Sequence, residues 1–237
     1  MMRNTIYTLV IITLLFLQGC ANTKNHSSSN VITTTTNETS KILLMPLDVE
    51  LAELTALGSL ETKADWTEDA KKHMKVAIDK HMNQKNAKTQ IFDDNNNSFD
   101  SVSTQLSKLH EVVGYSVLVH HFGHAPLPAK QNQFDWTLGE EAKVLAKETG
   151  ADYALFVFVR DSYASAGRKA AQFFGAMVGL GIQGGTQVGF SSLVDLKSGD
   201  IVWFNRLVST TGDLRSEKAA IKSMANLLDS FPTSKKL

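Results

Sequence analysis

His120, His121 and His124, set in His-His-Phe-Gly-His, are the densest group of metal-competent side chains in the sequence. If one helix ran through them, His120 and His124 would stand a turn apart and could share an ion such as zinc. Gly123 and Pro126 argue that the helix ends there, and the nearest acid downstream is Asp135. The expectation is helix-end histidines, one of them partly buried, with no metal and no cofactor. A second group, Arg160-Asp161-Ser162-Tyr163-Ala164-Ser165, closes the strongest strand-like run, the place where α/β sheets put ligands. Hydrolysis there needs a serine, a base and an orienting acid in contact, and no Gly-x-Ser-x-Gly elbow supplies them. Gly179, Gly181, Gly184 and Gly185 match neither a phosphate loop nor a dinucleotide fingerprint. The expectation is a strand emerging into solvent and no catalysis; an envelope enzyme or metal-binding protein using either group is the alternative reading.

Cys20 is the only cysteine in the 237 residues. It follows Leu17-Gln18-Gly19, which ends an apolar run that starts at Thr5 behind the basic Arg3. That run of about a dozen residues suits an export signal and is too short to span a bilayer. The box resembles the cleavage site of bacterial lipoproteins. The resemblance implies cleavage between Gly19 and Cys20, removal of residues 1–19, and acyl chains on Cys20 that hold the protein to a lipid bilayer. Ala21 and Asn22 follow in place of the Asp typical of inner-membrane retention, which points to the outer membrane, facing the periplasm.

Residues 20–40 comprise the modified Cys20 and a Ser/Thr/Asn-rich stretch that has too little apolar surface to offset its ordering entropy. It reads as a flexible tether with a root-mean-square span of about 25 Å. Lys and Arg together balance Asp and Glu at a formal charge of +0, so composition gives no electrostatic support to a nucleic-acid partner.

Residues 41–237 are long enough for one well-filled domain. Strands are expected at 41–47, 88–92, 151–159, 186–196 and 200–209, the last two joined by the turn Lys197-Ser198-Gly199-Asp200. Helices are expected at 67–82, 99–121, from a capping box at Thr137 to Gly150, and at 216–231. On the second helix Val102, Leu106, Leu109, Val113, Val117 and His120 recur at helical spacing, and Trp66 and Trp136 read as local anchors. Interleaved helices and strands with a late β-meander make an α/β layered sandwich.

Residues 170–194 carry no charge, and Phe173, Phe174, Met177, Val178 and Leu180 fall on one side of a helical wheel. Ala171, Gly175 and Gly179 line another side at a spacing that permits close helix approach. Two readings stay open: a surface that meets the membrane interface, a partner or a second copy, or a buried element bridging two strands.

Gly150-Ala151-Asp152-Tyr153-Ala154-Leu155-Phe156-Val157 and Ser192-Leu193-Val194-Asp195-Leu196-Lys197-Ser198-Gly199-Asp200-Ile201-Val202-Trp203, with the early strand ending in Met45-Pro46-Leu47, resemble the α/β domain of the curli-secretion lipoprotein (CsgG) group. That group is related to lipoprotein activators of penicillin-binding proteins and to the amino-terminal domain of TolB. The resemblance implies a mixed sheet with helices and a non-enzymatic envelope module that binds an envelope protein or self-associates. It carries over neither a secretion channel nor any functional residue.

Overall fold

The computed structural model describes residues 22–27, 40–84, 89–92, 101–131, 133–210 and 213–232. Gly19, Cys20, the leader and most of the expected tether lie outside the described residues.

The strand expected at 151–159 is the seam of the molecule. It runs as β6 (Tyr153–Ala164), apolar on both faces: Leu155, Val157 and Val159 point into one hydrophobic core, and Ala154, Phe156 and Phe158 into another. The period-two alternation sends neighbours to opposite faces, so a strand covered on both sides reads as an unbroken apolar run. Its length lets it serve two partners on the same edge. β2 (Ile42–Leu44) pairs parallel with its first half and β3 (Asp48–Leu54) with its second, Ile42 opposite Tyr153 and Asp48 opposite Phe158. Pro46, which has no N–H to donate, falls in the break between them. β3 turns back into β4 (Leu60–Thr62), and β5 (Thr89–Ile91) pairs parallel with β2. On the other edge β7 (Gln187–Asp195) and β8 (Ile201–Ser209) continue antiparallel, their turn made by Gly199 at φ +85°. The result is a mixed sheet in an α/β fold.

α1 (Ala64–Gln84) covers one face with Ala70, Met74, Ala77, Ile78 and Met82, the positions its sequence period marks. It is joined by α5 (Glu217–Leu227), whose Met224 and Leu227 share that core with Trp203. α2 (Val102–His120) and α3 (Ala142–Thr149) cover the other face, with Leu106, Val117 and Leu145 against Phe156, Phe190 and Phe204. Gly114 is required on α2, because a β-carbon there would overlap the Phe190 ring. α2 begins at the Ser101 cap, whose Oγ accepts the Thr104 N–H at 3.3 Å.

Four expectations change. Leu109 lies on the exposed side of α2, His120 is only half-buried at its end, and His110 takes the inward place. The box at Thr137 does not start a helix: its Oγ donates to Gly199 O at 2.9 Å and accepts the Gly139 N–H, so α3 begins at Ala142. The β3–β4 hairpin appears where no element was expected. Asn22–Ser27, expected within the tether, forms β1, antiparallel to β8 with Asn22 opposite Val208 and Ser27 opposite Trp203. The polar sequence hides this strand, because its backbone bonds and the stacking of His26 on Phe134 at 4.0 Å hold it in place rather than apolar burial.

Candidate functional site

The uncharged segment resolves into α4 (Ala166–Met177) and a returning stretch of chain that leads to β7. Ser165 leaves β6, donates its N–H to Leu54 O at 3.0 Å and caps α4 by accepting the Arg168 N–H at 3.1 Å. The returning segment folds back along the helix: Leu180 N–H reaches Gly175 O at 2.8 Å, Gln172 Nε2 reaches Ile182 O at 3.2 Å and Arg168 Nε reaches Gln183 O at 3.0 Å. Gly175 therefore receives Ile182 of its own chain, whose Cδ1 would stand 2.9 Å from an added β-carbon. The small-residue stripe is satisfied internally at that point and is no helix-pairing seam there. Phe173, Phe174, Met177, Val178 and Leu180 all face outward, 61–72% exposed. α4 therefore links β6 to β7, as the second reading has it, but with these five side chains turned outward rather than buried.

A second apolar face stands outward on α2, where Leu109, Val112, Tyr115 and Val119 are exposed while Leu106 and Val117 are buried. Apolar residues occur all round this helix, the pattern of a helix with something on both sides.

The Arg160–Ser165 cluster is split by the strand period. Arg160 turns to the α2 face, where Nη1 meets Asp48 Oδ1 at 2.8 Å and Nη2 meets Glu111 Oε1 at 3.4 Å. Its guanidinium lies 3.9 Å from the centre of the Phe158 ring. Asp161 and Tyr163 turn the other way and are buried. Asp161 Oδ2 accepts the Tyr163 hydroxyl and Gln187 Nε2 at 2.7 Å, and Tyr163 Oη in turn accepts the Leu214 N–H at 2.8 Å. Ser223 Oγ donates to Gln187 Oε1 at 3.0 Å, which ties the network to α5. Burial pushes the Asp161 carboxyl up to about 6, and burial and the adjacent Asp161 push the Tyr163 phenol up. This network floors a cavity of about 430 Å³ walled by Ser162, Lys169, Gln172, Gly185, Thr210 and Arg215. The cavity has room for a small polar solute. Ser162 Oγ is committed to Thr186, donating to its carbonyl at 3.1 Å and accepting its N–H at 2.9 Å, and Ser165 is a helix cap. Among the described residues neither serine is hydrogen-bonded to an imidazole.

The histidines do not converge as ligands either. His120 Nδ1 lies 2.7 Å from Ala125 O, a bond that ends the helix. His121 packs edge-on against Phe134 at 5.0 Å and His26 at 5.5 Å, and burial lowers its pKa. Asp135 is taken by Lys130 Nζ at 2.7 Å, and Lys130 also sits 4.4 Å over Trp136. Among the described residues no three His, Cys, Asp or Glu side chains gather to hold a metal. Sequence reading missed His110, which is fully buried with Nε2 2.8 Å from Ser192 Oγ and is driven by burial down to about 3.

No protein-family profile matches the sequence, and a search of curated proteins finds no match. Among solved structures, the PelC dodecamer from Paraburkholderia phytofirmans is similar at 13% identity and a TM-score of 0.40, over 88% of this chain and 95% of that one. A point variant of the same PelC dodecamer, in another crystal form, gives 13% identity and a TM-score of 0.37, over 88% and 96%.

Proposed function

We propose that the protein is a membrane-anchored lipoprotein of the outer membrane. Its periplasm-facing α/β domain works by contact with an envelope protein or with further copies of itself rather than by catalysis. The observation that carries this reading is that one domain turns two apolar faces outward, Phe173, Phe174, Met177, Val178 and Leu180 on an uncharged surface and Leu109, Val112, Tyr115 and Val119 on α2. A soluble domain that presents a contiguous apolar face is marked for contact with something else. The lipobox at Gly19-Cys20 supports the anchor, and the β7–β8 hairpin with its Gly199 turn supports a finer likeness to the curli-secretion lipoprotein group.

Crosslinking in intact cells followed by pull-down tests the reading. A defined protein partner, or the protein's own dimer and larger adducts, is expected; no partner and no self-adduct sinks it. A Cys20→Ala protein should fold and yet lose its cellular activity once released.

The cavity beside Asp161 favours a second reading, in which an envelope enzyme or binding protein takes a small polar solute there. A small-molecule thermal-shift screen with the Lys169→Ala variant as control checks it.

A further inference from the structure

The sheet register places the start of β1 and the α4 surface at one end of the molecule. Asn22 stands opposite Val208, Val208 opposite Val188, Val188 opposite Arg160 and Arg160 opposite Glu50. From this row β6 runs on only to Ala164 before the chain enters α4, and β3 runs on only to Leu54 before its turn. Three strand spacings separate β1 from β6, roughly 15 Å across the sheet. Cys20 is two residues upstream of Asn22 and so within about 7 Å of it along the chain. The hairpin tip also lies at this end, against the first turn of α4: an added β-carbon on Gly167 would stand 3.1 Å from Ala56 Cβ. Its Leu57 is 97% exposed.

The geometry points to a lipid surface as the occupant of the α4 face: Phe173, Phe174, Met177, Val178, Leu180 and Leu57 dip into the bilayer interface beside the acylated Cys20. The inference rests on the anchored reading above and names what this one surface touches. Three features favour lipid. β1 begins at the same end as the patch, two positions after Cys20 in the sequence. Between Asp161 and Asp195 the only charged residues are Arg168 and Lys169, and the tip Thr55–Ser59 has none. The acids at this end, Glu53, Glu61 and Asp213, lie beside Lys63 and Arg215, so among the described residues the patch itself faces no unpaired acid that would repel anionic headgroups. α4 has 12 residues, about 18 Å, which is too short to cross a bilayer and suited to lying in its plane. The docked β1 replaces a loose tether with a fixed orientation, and the outward face of α2 is left for a protein.

The test uses the full acylated protein with a photo-crosslinking amino acid at position 173, 177, 112 or 76, one site at a time. It is studied in intact cells and in vesicles of phosphatidylethanolamine and phosphatidylglycerol. Positions 112 on α2 and 76 on α1 are exposed controls. Mass spectrometry should find acyl-chain adducts at 173 and 177 in about tenfold excess over 76, the factor that 1.4 kcal/mol of partitioning gives. Equal lipid adducts at all sites, or none at 173 and 177, overturns the proposal. Protein adducts in place of lipid at 173 and 177 overturn it as well, while leaving the contact module standing. Loss of protein adducts at every site, with lipid adducts retained, fails the module reading and keeps this one.

Discussion

Asp161→Asn should change the slope of stability against pH, with a sign set by two buried groups. Burial raises Asp161 to about 6 from 3.8, so the folded chain holds that proton more tightly than the unfolded chain. Its contribution is fully present below the unfolded pKa and is lost as pH rises through about 6. His110 runs the other way. Burial lowers it to about 3 from 6.5, so its contribution is full above the unfolded pKa and is lost as pH falls toward the folded one. Between about pH 4 and pH 6 each changes stability by about 1.4 kcal/mol per pH unit with opposite sign, and the two offset. The asparagine side chain keeps an oxygen for Tyr163 and Gln187 and removes the titration. The variant should then lose about 2–3 kcal/mol more than the parent on acidification from about pH 6 to pH 4, because His110 is no longer opposed. His110→Gln should give the mirror image. Any constant packing cost displaces the whole curve and drops out of the slope, and the surface carboxylates act alike in both proteins. Urea titrations followed by tryptophan fluorescence at about pH 4, 5 and 6 measure it. Parallel pH profiles for the parent and Asp161→Asn would refute the reasoning.

Gly114→Ala pushes a methyl group into the Phe190 ring and should cost about 1–3 kcal/mol despite alanine's better helix propensity. Gly181→Ala, in open space, should be near neutral in the same thermal melt. Phe173→Ser with Met177→Ser should leave stability within about 0.5 kcal/mol per site, whereas Phe158→Ala should cost about 3–5 kcal/mol. Equal losses by urea titration would show that α4 is packed against the domain. His26→Ala removes the ring stacked on Phe134, so amides of β8 facing β1 should exchange faster with deuterium. Unchanged protection would show that the backbone bonds alone hold β1.

The strands and helices with strong periods were legible because burial writes them directly: β6 through its run of apolar residues, α1 through Ala70, Met74, Ile78 and Met82. Val49 and Leu51 alternate with Asp48 and Glu50 ahead of Leu57-Gly58, a readable hairpin signal that the neighbouring apolar run at 41–47 masked. β1 had no such signal, because Asn-Thr-Lys-Asn-His-Ser docks by main-chain bonds that any sequence can make. The α4 residues were legible as a cluster, but which way they face depends on Ile182 returning onto Gly175, a contact no helical wheel contains. The buried Asp161 network was equally hidden, since Gln187, Leu214 and Ser223 join it only through the fold.

β6 also governs when this protein can fold. Ile42 waits for Tyr153 and Asp48 for Phe158, both about 110 positions later. Synthesis takes roughly 5–20 s to add that many residues, and through it the apolar run Ile42-Leu43-Leu44-Met45 is without β6, although its other partner, β5, is made earlier. Closing so long a loop makes assembly of the sheet a slow step. Until β6 pairs with it, this segment, second from the sheet edge and buried in the finished fold, is an apolar stretch open to association.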